Sequence, residues 1–182
     1  MKGMAQKVSN FGRIWGFDSF EGLPAEANGV HLEGWHWRPG AFSAADALEA
    51  HSFDSLTSKL RAALPPHRRH QARYVRGFFN ESLTTELLAR HRFQPALIID
   101  VDVDLYSSTI ACLGWMLRSN LLVPGTLVRY DDWKEDPSWG ETRGHAEITR
   151  RFGLVWKNIS FTTGSYAEFQ LISRKARTGL VG

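Results

Sequence analysis

The 182 residues contain a single cysteine, Cys112, so no intrachain disulfide and no thiolate zinc cluster can form, and a reducing, cytoplasmic setting fits. No stretch runs long enough without charge to cross a bilayer, and Met1 to Phe17 lack the uninterrupted apolar core of an export signal. Neither membrane insertion nor secretion is signalled. Charge of one sign is also scarce: 22 Lys and Arg against 19 Asp and Glu leave +3 with histidine neutral. Nucleic acid is therefore not implied, because the densest basic run, Pro65 to Arg73, has no interleaved aromatics for base stacking. That run reads as a solvated connecting loop. No internal repeat is present, and 43% hydrophobic with 23% charged residues exclude disordered, collagen-like and coiled-coil classes. The length suits a single domain over residues 1–182.

What is present is an alternation of strand and helix signals. Arg13 to Phe17 reads as a short buried strand running into the loop-like Asp18-Ser-Phe-Glu-Gly-Leu-Pro24, and Ala25 to Ala41 reads as a Gly-, Trp- and His-rich lid carrying Trp35 and Trp37. Phe53, Leu56, Leu60 and Leu64 recur at helical spacing up to Pro65-Pro66. Strands are expected at Tyr74 to Phe79, Ala96 to Val103, Thr126 to Tyr130, Leu154 to Ser160 and Tyr166 to Ser173. Helices are expected after Ser82, after Ser107 or Ser108, and from about Glu141 to Phe152. The fold class is α/β with a mostly parallel sheet, whose ligands lie beyond the carboxyl ends of the strands.

The acids sit there. Asp18, the Asp102/Asp104 pair and Asp131-Asp132 each follow an expected strand, so three segments can converge at one sheet edge. In an extended strand Asp100, Asp102 and Asp104 share one face. Carboxylates crowded on a buried strand repel, and a cation is the economical remedy. Asp102 and Asp131 are 29 residues apart, the length of one strand-helix-strand unit. Hard oxygen donors without cysteine favour Mg²⁺ or Mn²⁺, with Ca²⁺ less selective. Asp100, deeper in the strand, is assigned a structural part. His145 and Glu147 are candidates to reach an acceptor, and Trp133 and Trp139 are candidates to wall its pocket. A competing use of Asp-Val-Asp is the metal and diphosphate site of a nucleotide-sugar glycosyltransferase.

Three segments, Gly16-Phe-Asp-Ser-Phe-Glu-Gly-Leu-Pro24, Asp102-Val-Asp-Leu-Tyr-Ser-Ser-Thr109 and Leu122-Val-Pro-Gly-Thr-Leu-Val-Arg-Tyr-Asp-Asp132, resemble the TylF-type macrocin O-methyltransferase family over roughly residues 13 to 152. The resemblance implies a Rossmann-like methyltransferase sheet with an antiparallel C-terminal strand, and metal-assisted methyl transfer from S-adenosylmethionine to a hydroxyl of a sugar or other small molecule. It implies that Asp18 and Ser19, with Gly77 and Phe78, bind the cofactor. It further implies that Asp102, Asp131 and Asp132 ligate the metal, and that Asp104 is the general base. The departure from the family lies at the beginning, where the first strand and its glycine-rich turn are missing ahead of Arg13. Two strand edges are then expected to lie open, with weak cofactor binding by this chain alone and completion by a partner strand, a second copy or a longer chain. A non-catalytic remnant or partner-binding module is the corresponding alternative.

Overall fold

In a computed structural model of the protein, residues 12–27, 37–162 and 164–175 are described. They divide into two compact units, one formed by residues 12–24 and 37–82, the other by residues 25–27 and 83–175.

The first unit is built on a parallel pair of strands, β1 (Ile14–Asp18) and β2 (Ala72–Arg76), in register from Ile14 opposite Ala72 to Asp18 opposite Arg76. Between them the chain forms α1 (Ala44–Ala47) and α2 (Phe53–Ala62). Ser52 caps α2 by accepting the amide of Ser55 at 3.2 Å. Leu56 is buried with Phe20 and Ala50, and Leu60 and Tyr74 pack against this small core. The basic run is a connecting segment with His67, Arg69, His70 and Arg73 exposed, as expected, but it is not an irregular loop. Pro66–Gln71 forms a 3-10 turn in which Arg68 is buried and donates to Gln71 at 3.0 Å. Arg69 donates to the carbonyls of Leu64 (3.2 Å) and Ala62 (3.0 Å), closing the end of α2. Strand β2 also stops earlier than expected, at Arg76. Gly77 takes a positive φ of 132°, and Phe79 opens the short helix α3 (Phe79–Ser82) instead of extending the strand.

The second unit contains α4 (Thr85–His91) and a four-stranded sheet in the order β3 (Ile98–Val101), β4 (Leu127–Tyr130), β6 (Tyr166–Arg174), β5 (Leu154–Thr162). β3 and β4 are parallel, while β6 runs antiparallel to both β4 and β5. Every strand pair except those made by the C-terminal strand is therefore parallel, as expected. Helices α5 (Tyr106–Arg118) and α6 (Gly140–Phe152) pack together. Leu113 and Leu117 of α5, one helical turn apart, share a core with Ile148 of α6 and with Ile99, Val101, Val128, Tyr130 and Leu171 of the strands. Among the described residues β1 has only β2 as a neighbour and β3 only β4, so each sheet ends on a strand with one open edge. No helix among the described residues is long and apolar enough to cross a membrane.

Three expected caps and bounds differ. α4 is capped by Thr84, which accepts the Leu87 amide at 3.2 Å, and Ser82 instead donates back to the carbonyl of Gly77. β3 covers only Ile98–Val101, because the next amides turn away from the sheet. Neither Ser107 nor Ser108 caps α5. The cap position is Leu105, which has no side chain for the task, and Glu26 supplies it from 80 residues away, accepting the amides of Tyr106 (2.7 Å) and Ser107 (3.0 Å). A carboxylate at a helix N-terminus satisfies otherwise orphaned donors and meets the positive end of the helix dipole.

Glu26→Ala should lower stability by about 1 kcal/mol, the usual worth of an N-terminal cap, with Glu26→Gln losing less. Urea unfolding of the three proteins measures this, and an alanine variant as stable as the parent would show the cap to be dispensable.

Candidate functional site

The cofactor candidates lie in the first unit, at the carboxyl ends of its two strands. Asp18 is the last residue of β1, and its backbone carbonyl accepts the amide of Gly77 at 3.0 Å, so the ends of β1 and β2 are joined there. The Asp18 carboxylate accepts the amide of Phe20 at 2.7 Å. Desolvation raises its pKa, and the amides of Phe20 and Ser19 with the Ser19 hydroxyl oppose the rise. Ser19 donates to the carbonyl of Gly22 at 2.9 Å and accepts the amide of Glu21 at 3.1 Å, which shapes the turn. A side chain at Gly77 would come within 3.1 Å of the Ser82 Cβ, so this glycine is required by backbone angle and by packing together. Phe78 precedes α3, and its carbonyl accepts the amides of Glu81 and Ser82. The structure thus brings Asp18, Ser19 and Gly77 to one strand end. A carboxylate has about four acceptor sites, so the donors of its own turn leave Asp18 with some acceptor capacity to spare.

The acids of the second unit are arranged differently from the strand-face picture. Asp100 lies opposite Arg129 in the β3–β4 register, and its carboxylate pairs with that guanidinium at 3.1 Å, which is the structural part expected of it. Asp102 is exposed and lies just past the end of β3. Asp104 is not extended at all. Its φ is +57°, in the left-handed region that aspartate tolerates better than most residues, and it is buried. The two-residue period therefore does not place Asp104 on a face with Asp100 and Asp102.

Asp104 meets Asp132 instead. Burial is the main cause that pushes the Asp104 pKa up to about 8, followed by its hydrogen bond with Asp132 and by the charges of Asp132, Glu141 and Asp102. Once protonated, Asp104 can donate that hydrogen bond to Asp132. Asp131 is exposed, with its amide bonded to the carbonyl of Val101 at 3.2 Å. Among the described residues no three acidic, histidine or cysteine side chains gather closely enough to hold a metal ion. The donor chemistry of Asp102, Asp131 and Asp132 suits a hard dication, but their placement does not close around one point.

Glu141 is the residue that sequence reasoning passed over. It is fully buried on the first turn of α6 and accepts the amides of Val103 (3.0 Å) and Asp104 (3.3 Å). Desolvation pushes its pKa up to about 7. Its signal was the spacing Gly140, Glu141, Gly144, His145, Ile148, an α6 face of small and buried residues. His145 and Trp133 prove to be core. The His145 Nδ1 is 2.9 Å from the Tyr130 hydroxyl, the ring stacks on Phe169 at 4.6 Å, and burial pushes its pKa down to about 4. Trp133 packs against Tyr130 and Phe169. Glu147 accepts from the Tyr106 hydroxyl at 2.7 Å, and Trp139 lies under the Lys134 ammonium at 5.2 Å. Of the two lid tryptophans, Trp37 contacts Phe42 with centroids 5.8 Å apart. Trp35 lies outside the described residues.

No family model and no curated protein matches the chain. Its fold is similar to the crystal structure of CalS11, a calicheamicin methyltransferase, with 22% identity and a TM-score of 0.61 over 87% of this chain and 60% of that one. The apo structure of CalS11, described as a TDP-rhamnose 3'-O-methyltransferase of calicheamicin biosynthesis, gives 21% identity and a TM-score of 0.49 over 87% and 58%. The chain thus spans about three fifths of the length of these neighbours. The likeness is one of fold: a methyltransferase-like α/β arrangement.

The acid cluster sets a pH dependence. Asp104 and Glu141 bind protons more tightly folded than unfolded, so their contribution to stability is present at low pH and is lost as pH rises toward 8. His145 acts oppositely, its stabilising contribution being lost as pH falls from its unfolded value toward 4. Above about pH 6.5, the ordinary histidine value, the acids act alone. Stability should fall from there to pH 8, and Asp104→Asn should flatten that slope in chemical unfolding. A parent protein with a flat profile over this window would contradict the assignment.

Proposed function

We propose that the chain carries out S-adenosylmethionine-dependent O-methylation of a hydroxyl on a sugar or another small molecule, as the macrocin-family resemblance implies. The observation that carries the reading is Asp104, a buried carboxyl pushed up to about 8, hydrogen-bonded to Asp132 just beyond a parallel strand. A proton acceptor works best when its pKa lies near the working pH. The fold likeness to a methyltransferase supports it.

The bound cofactor supplies an electrophilic methyl group on sulfur. Asp18 would accept its ribose hydroxyls, with Ser19 shaping the turn and Gly77 and Phe78 bordering the adenine. The acceptor hydroxyl is a poor nucleophile until its proton leaves. Asp104 accepts that proton as the oxygen–carbon bond forms and the sulfur–carbon bond breaks, and Asp132 stabilises the protonated form through their shared hydrogen bond. Orientation of the oxygen in line with the methyl group accounts for much of the rate. Mg²⁺ or Mn²⁺ enters the proposal on donor chemistry alone: Asp102, Asp131 and Asp132 would hold it only by drawing closer together than they stand in this structure, and no step above depends on it.

Two measurements test this. Incubation with S-adenosylmethionine and a panel of free and nucleotide-linked sugars should release S-adenosylhomocysteine, and Asp104→Asn should cut the rate by about 10²-fold or more while leaving cofactor affinity intact. Unchanged turnover in that variant would remove Asp104 as base. Separately, millimolar MgCl₂ should raise the melting temperature, and Asp132→Asn should abolish the rise. A melting temperature indifferent to Mg²⁺ and Mn²⁺ would leave Asp104 and Asp132 as a hydrogen-bonded pair without a metal.

A further inference from the structure

The segment carrying Asp104 belongs to neither strand nor helix, and its backbone is held by a side chain from far along the sequence. β3 ends at Val101 and α5 begins at Tyr106. Between them Val103 and Asp104 have no sheet partner for their amides, and both donate to one oxygen of Glu141, 38 and 37 residues away. The contact is made possible by the residue before it. At Gly140 even a Cβ would collide with the carbonyl oxygen of Asp104, so the start of α6 lies directly on the Asp104 backbone. One turn later a Cβ at Gly144 would come within 2.6 Å of Thr109, which keeps α6 equally close to the first turns of α5. The Asp132 amide is a further donor to Glu141. The side chain therefore serves backbone amides, those of Val103 and Asp104 foremost, rather than a cationic partner.

We propose that Glu141 is a positioning residue for Asp104: by accepting the amides of Val103 and Asp104 it holds Asp104 left-handed and fixes where its carboxyl stands. The inference deepens the methyltransferase reading and rests on it for the role of Asp104. Glu141 itself touches no reacting atom. Its effect is transmitted through the backbone conformation of one residue, which only the close approach at Gly140 allows.

The test separates placement from chemistry. Backbone chemical shifts of Asp104 in the full chain, without cofactor, report whether the residue is left-handed. Glu141→Leu removes the acceptor at similar bulk, Glu141→Gln keeps one acceptor oxygen without the charge, and Glu141→Asp keeps the charge but shortens the reach. In the Leu and Asp variants the Asp104 shifts should move toward extended values while shifts in β5 and β6 stay put. The Gln variant should keep the parent's shifts. In methyl transfer, Leu and Asp should lower kcat by about 10²-fold with the KM for the acceptor unchanged, and Gln should restore most of the rate. Should the Leu variant fail to fold, the Asp variant carries the same comparison. Unmoved Asp104 shifts in the Asp variant, or a Gln variant as displaced as the others, would overturn the proposal. A parent chain that transfers no methyl group would instead overturn the functional reading, and the shifts would still decide the placement.

Discussion

Between the end of β3 and the first turn of α5, four amides, those of Val103, Asp104, Tyr106 and Ser107, have to find acceptors outside regular structure. An unsatisfied buried donor costs about 1–3 kcal/mol, so a segment with four of them holds one shape only if acceptors are brought to it. Glu141 takes the first two and Glu26 the second two. Two carboxylates, one from the loop after β1 and one from the start of α6, thereby fix the turn that carries the candidate base. The left-handed geometry of Asp104, worth roughly 1–2 kcal/mol of strain for an ordinary residue, persists because these bonds define it.

The same constraint shapes the electrostatics. Bringing Glu141 inside to serve amides adds a carboxylate to a neighbourhood that already contains Asp102, Asp104 and Asp132. Burial and mutual repulsion both favour neutral acids, so Asp104 and Glu141 titrate near neutrality. A structural need for acceptors has produced carboxyl groups able to exchange a proton at ordinary pH. Asp100 shows the contrast: still within β3 and four residues before Asp104, it faces Arg129 and forms a plain ion pair.

Hydrophobic period and turn residues made the element order legible. The pattern Phe53, Leu56, Leu60 located α2, Pro124-Gly125 located the turn before β4, and the alternation from Tyr166 located β6. The local caps were less legible, because α5 takes its cap from Glu26, and no window of sequence contains both partners. Asp104 failed for a related reason. Period two holds only while the strand lasts, and β3 ends at Val101, where amides turn to an acceptor on α6. The basic run from Pro65 is mostly solvated, as its charge suggests, but charge alone could not show that Arg68 is buried or that Arg68 and Arg69 bond to acceptors near the end of α2. His145 was misread because its neighbours Trp133, Trp156 and Phe169 come from three separate segments.

The acids that the proposed chemistry needs and the acids that structure needs differ in what they accept. Asp18 holds only donors of its own turn, the amides of Phe20 and Ser19 and the Ser19 hydroxyl, and a protonated Asp104 hydrogen-bonds to Asp132. Glu141 accepts the amides of Val103 and Asp104, and Glu26 accepts those of Tyr106 and Ser107 as well as that of its neighbour Ala27. A carboxylate that accepts amides from a distant segment is anchored at both ends of its side chain and has little freedom to follow a reaction. One bonded only within its own turn, or to a single carboxyl, can trade a bond for one to a substrate. By this criterion the proton that moves in the proposed reaction is the one Asp104 takes up, and Glu141 is the fixed frame that holds Asp104 in place.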